Sequence, residues 1–218
     1  MRIIHRVAPY TMTSPERISA LIKAVQYLCE NNIPGDIVEC GVWRGGSSMA
    51  AALGLLEKHS TDREIWMLDT YKGMAKPGDE DVDLRGGVAL ERFESSESKD
   101  GYSNWCYATL DDVKRNLEST GYPSVKLHFI EGKVEDTLPS HAPQNIALLR
   151  LDTDWYESTL HELVNLWPRL VPAGICILDD YGHWRGARKA VDEYFEANKL
   201  HVFLNRIDYS GRLIVKPN

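Results

Sequence analysis

An α/β fold with a mostly parallel sheet, ended by an antiparallel hairpin, is what this sequence predicts, and three observations predict it. From Asp36 to Asn198 short apolar strands alternate with helical segments, the pattern of βαβ units. After that the alternation stops: His201 to Ile207, the turn Asp208-Tyr-Ser-Gly211 and Arg212 to Lys216 read as a closing β-hairpin. The third is the stretch Ile37-Val-Glu-Cys-Gly-Val-Trp-Arg-Gly-Gly-Ser-Ser48, an apolar run that closes on glycines and opens straight into a small-residue helix. Glycines at 41, 45 and 46 let backbone approach a ligand closely, and the unpaired N–H groups of the helix start favour an anionic or carboxylate-bearing end.

Met1 to Tyr10 reads as a short irregular arm, with a disordered arm as the alternative. Thr13-Ser-Pro-Glu16 then reads as an N-cap with proline at N1 for a helix through Cys29, whose apolar stripe is Ile18, Leu21, Ile22, Val25 and Leu28. The predicted strands are Ile37 to Cys40, Glu64 to Leu68, Val125 to Glu131, Ile146 to Leu151 and Gly174 to Leu178. Helices are predicted over Ser47 to Lys58, Leu110 to Ser119, Tyr156 to Leu170 and Trp184 to Asn198. The whole chain, 1–218, reads as a single domain with an N-terminal arm (1–15) and an insert of about 72–107. That insert is rich in Asp, Glu, Ser and Gly and has no sustained period. It follows the second strand directly, at the sheet edge where open α/β folds bind ligands, so it reads as a lid or substrate-recognition segment. A solvated, partly helical excursion is the alternative.

With 218 residues, 43% hydrophobic and 26% charged, the composition is that of an ordinary globular domain. A net charge of −7 without a basic stripe argues against nucleic-acid binding, leaving a small molecule as the expected partner. Cysteines 29, 40, 106 and 176 have no C-x-x-C spacing and read as structural thiols. No leader pattern and no run of eighteen apolar residues is present, so no membrane partner and a cytoplasmic setting are expected.

The second strand ends in Asp69, 28 residues after Gly41, near the ~20-residue offset of acids that bind a ribose diol. The spacing Gly41-x-x-x-Gly45-Gly46 is not the G-x-G-x-x-G of a dinucleotide fold, so the expected ligand is a single nucleoside. Asp152 and Asp154 end the fourth strand, and Asp179 and Asp180 the fifth. Adjacent strand ends lie only ~5 Å apart, and four carboxylates so placed repel unless a cation sits among them. Hard oxygen ligands suit Mg²⁺ or a similar divalent ion. Asp154 as a helix N-cap, and Asp179-Asp180 as a solvated turn, are the competing structural readings.

Taken together, Tyr10-Thr-Met-Thr-Ser, Gly35-Asp-Ile-Val-Glu-Cys-Gly-Val-Trp-Arg-Gly-Gly-Ser47, Leu68-Asp-Thr-Tyr-Lys-Gly73, Gly132 through Pro139, Leu151-Asp-Thr-Asp154 and Leu178-Asp-Asp-Tyr181 carry a resemblance that runs nearly end to end. The sequence resembles the class I methyltransferases that use S-adenosylmethionine, specifically the metal-dependent macrocin-type O-methyltransferases acting on natural-product sugars. The resemblance implies the class I methyltransferase fold, a homodimer and a hydroxylated, glycosylated small-molecule acceptor. It places Thr11 and Met12 over the cofactor. Glu39 and the loop residues Gly41, Val42, Trp43, Arg44, Gly45, Ser47 and Ser48 meet the methionine end of the donor. Asp69 takes the ribose, with Thr70 and Tyr71 beside it. Gly132, Lys133 and Val134 stand near adenine, although Lys133 is more polar than the family pattern leads one to expect, and Asp152 joins the donor set. It further implies Asp152, Asp179 and Asp180 as metal ligands and Asp154 as general base. His183 is a rival base, because an imidazole titrates near neutrality. A catechol-type O-methyltransferase acting on an aromatic diol, a nicotinamide-dinucleotide oxidoreductase and a non-catalytic binding module are the alternative functions.

Overall fold

In the computed structural model, residues 2–96 and 101–217 are described; Met1 of the arm, 97–100 of the insert and Asn218 lie outside the described residues. Among the described residues seven strands form one sheet: β1 (Asp36–Cys40), β2 (Ile65–Asp69), β3 (Leu127–Glu131), β4 (Ile146–Leu151), β5 (Leu170–Leu178), β6 (Asn205–Arg206) and β7 (Arg212–Val215). Their order is β3-β2-β1-β4-β5-β7-β6, parallel from β3 to β5 and antiparallel at β5/β7 and β6/β7. The expected class, a mostly parallel sheet with a closing hairpin, is the one observed. The strand order reverses direction at β1/β4, which puts the ends of these two strands at the centre of the C-terminal edge.

Among the described residues eight helices accompany the sheet: α1 (Arg2–Val7), α2 (Pro15–Glu30), α3 (Gly46–Glu57), α4 (Ala89–Ser95), α5 (Leu110–Glu118), α6 (Val134–Thr137), α7 (Tyr156–Leu166) and α8 (Arg185–Ala197). Side chains of a strand alternate between faces, and the core divides accordingly. Ile37, Met67 and Leu148 pack with Leu21, Val25, Met49, Leu55 and Val113 on one face. Val38, Leu68 and Leu149 pack with Leu163, Leu166 and Val191 on the other. Each fully buried side chain of this kind contributes ~1.5–3 kcal/mol, so the centre of the sheet is rigid and its C-terminal edge is a firm platform.

Several local expectations change. The arm is helical: Ile3 and Val7, four residues apart, bury against the α3 layer, and a 3-10 turn over Ala8–Tyr10 follows. One turn of amphipathic helix is too short for a periodicity argument. Ser14, from the expected capping segment, is the N-cap of α2, its hydroxyl accepting from Arg17 N at 3.2 Å. Helix α7 stops at Leu166, because Pro168 turns the chain into a 3-10 segment at Trp167–Arg169, and β5 therefore starts at Leu170 rather than Gly174. β3 starts at Leu127, since Val125 lies exposed in a 3-10 turn. The insert holds the seven-residue helix α4, which buries Ala89 and Phe93. Among the described residues no helix is long and apolar enough to cross a membrane. All four cysteines are free, and burial pushes the Cys40 thiol up, as expected of structural thiols.

Candidate active site

The glycine loop between β1 and α3 is fastened by Asp69. One carboxylate oxygen accepts the N–H groups of Val42 at 2.6 Å and Trp43 at 3.0 Å, and the other accepts Tyr71 N–H at 2.7 Å. Burial raises the Asp69 pKa, and these backbone bonds oppose the rise. The close approach needs glycine at two points. Gly41, at φ +81°, leaves no room for a Cβ beside the Asp152 carbonyl, and a Cβ on Gly46 would stand 2.5 Å from the Tyr10 carbonyl. Asp69, expected to bind a ribose diol, thus already accepts backbone donors on both oxygens and acts first as the fastener of the loop.

Arg150 stands at the heart of the strand edge, and sequence reasoning missed it. Its side chain is 3% exposed. Nη1 donates to Glu39 Oε1 at 2.7 Å and Asp152 Oδ2 at 2.6 Å, while Nη2 donates to Asp179 Oδ1 at 2.6 Å and Thr13 Oγ1 at 2.9 Å. Arg17 of α2 binds the other Asp179 oxygen and pairs with Asp208 of the hairpin turn at 3.0 Å. Two arginines therefore supply much of the cation that the carboxylate repulsion demanded. The signal was present as a single charge inside Ile146-Ala-Leu-Leu-Arg-Leu151, since a buried charge must be paired.

Two of the expected site residues are engaged by this network. Asp179, expected as a metal ligand, has both oxygens on arginines. Glu39, expected at the methionine end of the donor, is buried with one oxygen on Arg150 and the other on the Ser48 hydroxyl. The carboxylates brought together are Asp152, Asp154 and Asp180, with one oxygen of each within 4.8 Å of the others. Burial raises all three pKa values. Asp154 is pushed up to about 7, with hydrogen bonding to Asp180 opposing and the charge of Asp152 adding to the rise. Asp152 and Asp180 are held well above the usual carboxylate range, Arg150 opposing at Asp152 and Asp154 reinforcing at Asp180. Asp180 Oδ2 is buried without a hydrogen-bond partner among the described residues. An orphaned oxygen within a cluster of three carboxylates fits a hard divalent cation.

Asp154 is not a helix cap. Helix α7 takes Trp155 as its N-cap, with no side-chain bond, and its Tyr156 N–H is accepted at 2.8 Å by the buried Asp81 of the insert. Asp154 has φ +71°, and Trp43, Tyr71 and Cys106 are also left-handed. Such backbone strain in non-glycine residues gathers at functional sites.

Two adjoining cavities of about 260 and 270 Å³ open at this edge and share Gly41, Asp69 and Asp152 in their walls. Thr70, Gly132, Lys133 and Val134 line the first. Thr11, Met12, Glu39, Val42, Trp43 and Ser47, with the four strand-end aspartates, line the second. Arg44, Gly45, Ser48 and Tyr71, all expected at the donor, line neither. Arg44 pairs with Asp112 at 2.8 Å, Gly45 is the N-cap of α3, Ser48 is tied to Glu39, and the buried Tyr71 donates its hydroxyl to Met67 O at 3.0 Å.

The insert supplies the outer wall of the second cavity. Trp105 packs against Trp155 (5.6 Å between ring centroids) and Trp184 (6.0 Å), and the Arg92 guanidinium lies 3.9 Å over its ring. None of these aromatic residues was singled out from sequence. His183 also lines this cavity, edge-on to Trp184 at 4.8 Å and with Nδ1 3.5 Å from the Tyr209 hydroxyl; burial lowers its pKa. It lies outside the carboxylate triad.

Residues 5–216 match the family described as macrocin-O-methyltransferase (TylF). The demethyldecarbamoylnovobiocin O-methyltransferase of Streptomyces niveus is 33% identical over 203 residues, covering 93% of this chain and 74% of that protein. The 8-demethyl-8-(2,3-dimethoxy-alpha-L-rhamnosyl)-tetracenomycin-C 4'-O-methyltransferase of Streptomyces olivaceus is 34% identical over 202 residues, with the same coverage of 93% and 74%. Among solved structures, that of the O-methyltransferase NovP superposes with a TM-score of 0.80 at 31% identity, covering 96% of this chain and 83% of that one.

Proposed function

The chain belongs to the macrocin-O-methyltransferase family and is an S-adenosylmethionine-dependent O-methyltransferase, and from that premise we propose that it methylates a sugar hydroxyl of a glycosylated small molecule with the help of a divalent cation. The observation that carries this reading is the convergence of Asp152, Asp154 and Asp180 in the wall of the second cavity, with Asp152 also lining the first. The name of the Streptomyces olivaceus relative, which specifies a rhamnosyl acceptor, supports a sugar.

In this reading Thr70, Gly132, Lys133 and Val134 receive the adenosine part of the donor, and Thr11, Met12, Trp43 and Ser47 the methionine part. Asp69 serves the donor by holding the loop between them. Asp152 and Asp180 would hold Mg²⁺ or a similar ion, which when bound supplies a Lewis acid for the acceptor oxygen. Asp154 takes the hydroxyl proton. The oxygen lone pair then forms the bond to the methyl carbon as the carbon–sulfur bond breaks, and the sulfur leaves as a neutral thioether that needs no acid. Arg150 and Arg17 keep Asp179 and Glu39 out of the reaction while fixing the strand ends around it. Trp105 and Trp184 line the second cavity with aromatic surface that suits the apolar side of a sugar, and the insert serves as the lid and recognition wall. A homodimer and a cytoplasmic setting accompany this reading, and sedimentation and cell fractionation test them.

The decisive comparison is between Asp154→Asn and Asp152→Asn. The first keeps shape and removes the base, so turnover should drop by a factor on the order of 10² to 10⁴ at unchanged affinity for S-adenosylhomocysteine. The second should weaken Mn²⁺ binding, and excess Mg²⁺ should restore part of its rate but none of that lost in Asp154→Asn. Wild-type turnover in Asp154→Asn together with inactivity of His183→Ala would move the base to the histidine. Full activity in excess chelator would remove the cation.

A further inference from the structure

Arg150 reaches four separate segments: β1 through Glu39, its own strand end through Asp152, the end of β5 through Asp179, and the arm through Thr13. The last of these contacts has no role in the chemistry described above. Thr11, Met12 and Thr13 wall the second cavity, and Met12 is 61% exposed. Among the described residues, the Thr13 hydroxyl makes the one side-chain hydrogen bond from residues 11–13 to the strand edge. It is bound by the same Nη2 that holds Asp179, on the guanidinium whose Nη1 holds Asp152.

We propose that Arg150 is a positioning residue that couples the arm to the acidic centre, so that retaining the donor beneath Thr11–Thr13 and aligning Asp152 depend on one side chain. The proposal rests on the reading that this cavity receives the donor. A planar guanidinium with a rigid fork of donors can serve four acceptors on four segments at once, whereas an ammonium is a point charge with three donors on a flexible stem. Displacing the guanidinium would free residues 11–13 from the strand edge, while the helical start of the arm stays packed through Ile3 and Val7, and would leave Asp152, Glu39 and Asp179 to repel one another. Asp208 holds the next residues, accepting from the Ser14 hydroxyl and from Arg17 Nε, so residues 11–13 span between that anchor and the packed helix α1, with Thr13 as their latch to the strand edge.

The test uses the full chain with three readouts: melting temperature, S-adenosylhomocysteine affinity by calorimetry, and Mn²⁺ affinity by electron paramagnetic resonance without donor. Thr13→Val should stay folded with a modestly lower melting temperature, bind S-adenosylhomocysteine about tenfold more weakly, a loss of the size of one hydrogen bond to a charged group, and bind Mn²⁺ unchanged. Arg150→Lys, if folded, should lose affinity for both ligands. A merely structural Arg150 would lower the melting temperature and leave the two affinities of the folded protein alone. Wild-type S-adenosylhomocysteine affinity in Thr13→Val overturns the latch, and wild-type affinity for both ligands in a folded Arg150→Lys overturns the coupling. If Arg150→Lys does not fold, Thr13→Val still decides the latch. Failure of the wild type itself to bind S-adenosylhomocysteine would instead sink the donor reading, and the proposal with it.

Discussion

The strand edge and the insert wall the same cavity, yet they are held by different physics. At the strand edge, charges buried beneath the glycine loop form one network of Asp208, Arg17, Asp179, Arg150, Glu39 and Asp152, and every member has a partner of opposite charge. The insert is held by aromatic edges, by Asp81, which accepts from Tyr156 N–H and from Gly78 N–H at 2.7 Å, by the exposed Glu80–Lys189 pair at 3.1 Å and by single hydrogen bonds such as that from the Trp155 indole to Ala75 O at 3.0 Å. The first arrangement fails as a unit, because removing one charge strands several others. The second can be altered piece by piece. That difference suits a methyltransferase in which donor and proton chemistry stay fixed while acceptor recognition varies on a loop.

Breaking the network should have the largest effect on stability. Arg150→Met leaves Glu39, Asp152 and Asp179 without their shared cation, and unpairing a buried charge costs ~3–5 kcal/mol. Urea unfolding should show that loss as a lower midpoint, and a loss under ~1 kcal/mol would mean the strand edge is no more cooperative than an exposed ion pair.

The insert should respond more locally. Asp81→Ala removes the acceptor at the start of α7, and losing such a cap costs ~0.5–2 kcal/mol. Hydrogen exchange should quicken in residues 74–95 and at the first turn of α7 while β1 and β4 keep their protection. Equal acceleration in β4 would show that insert and strand edge unfold together and erase the contrast.

The smallest effect is expected from Arg92→Gln, which removes the guanidinium stacked on Trp105. An exposed cation–π contact contributes ~0.5–1 kcal/mol, so the melting temperature should move little. Under the proposed function the change should appear in the KM for the acceptor and not in that for S-adenosylmethionine. A larger rise in the donor KM would place Arg92 on the wrong side of the cavity.

What the sequence by itself determined is whatever depends on neighbours along the chain. Strands β1, β2 and β4, the glycine turn into α3, Pro15 at the start of α2, and the carboxylates at the ends of β4 and β5 are local patterns of burial, turn chemistry and strand alternation. Order along an α/β chain carries those strand ends to one edge without further information. The tertiary structure alone decided which of those carboxylates are free. Glu39 and Thr13 lie 111 and 137 residues from Arg150, and Asp81 lies 75 from the helix it caps. Partners so distant leave no periodicity to read. Arg44, Gly45 and Ser48 belong to the glycine loop's sequence and Tyr71 to the stretch just after β2, yet all four line neither cavity, and Asp179, unlike its neighbour Asp180, faces two arginines. Side-chain direction at a strand end follows from the charges that arrive opposite it, and those are set by packing across the sheet.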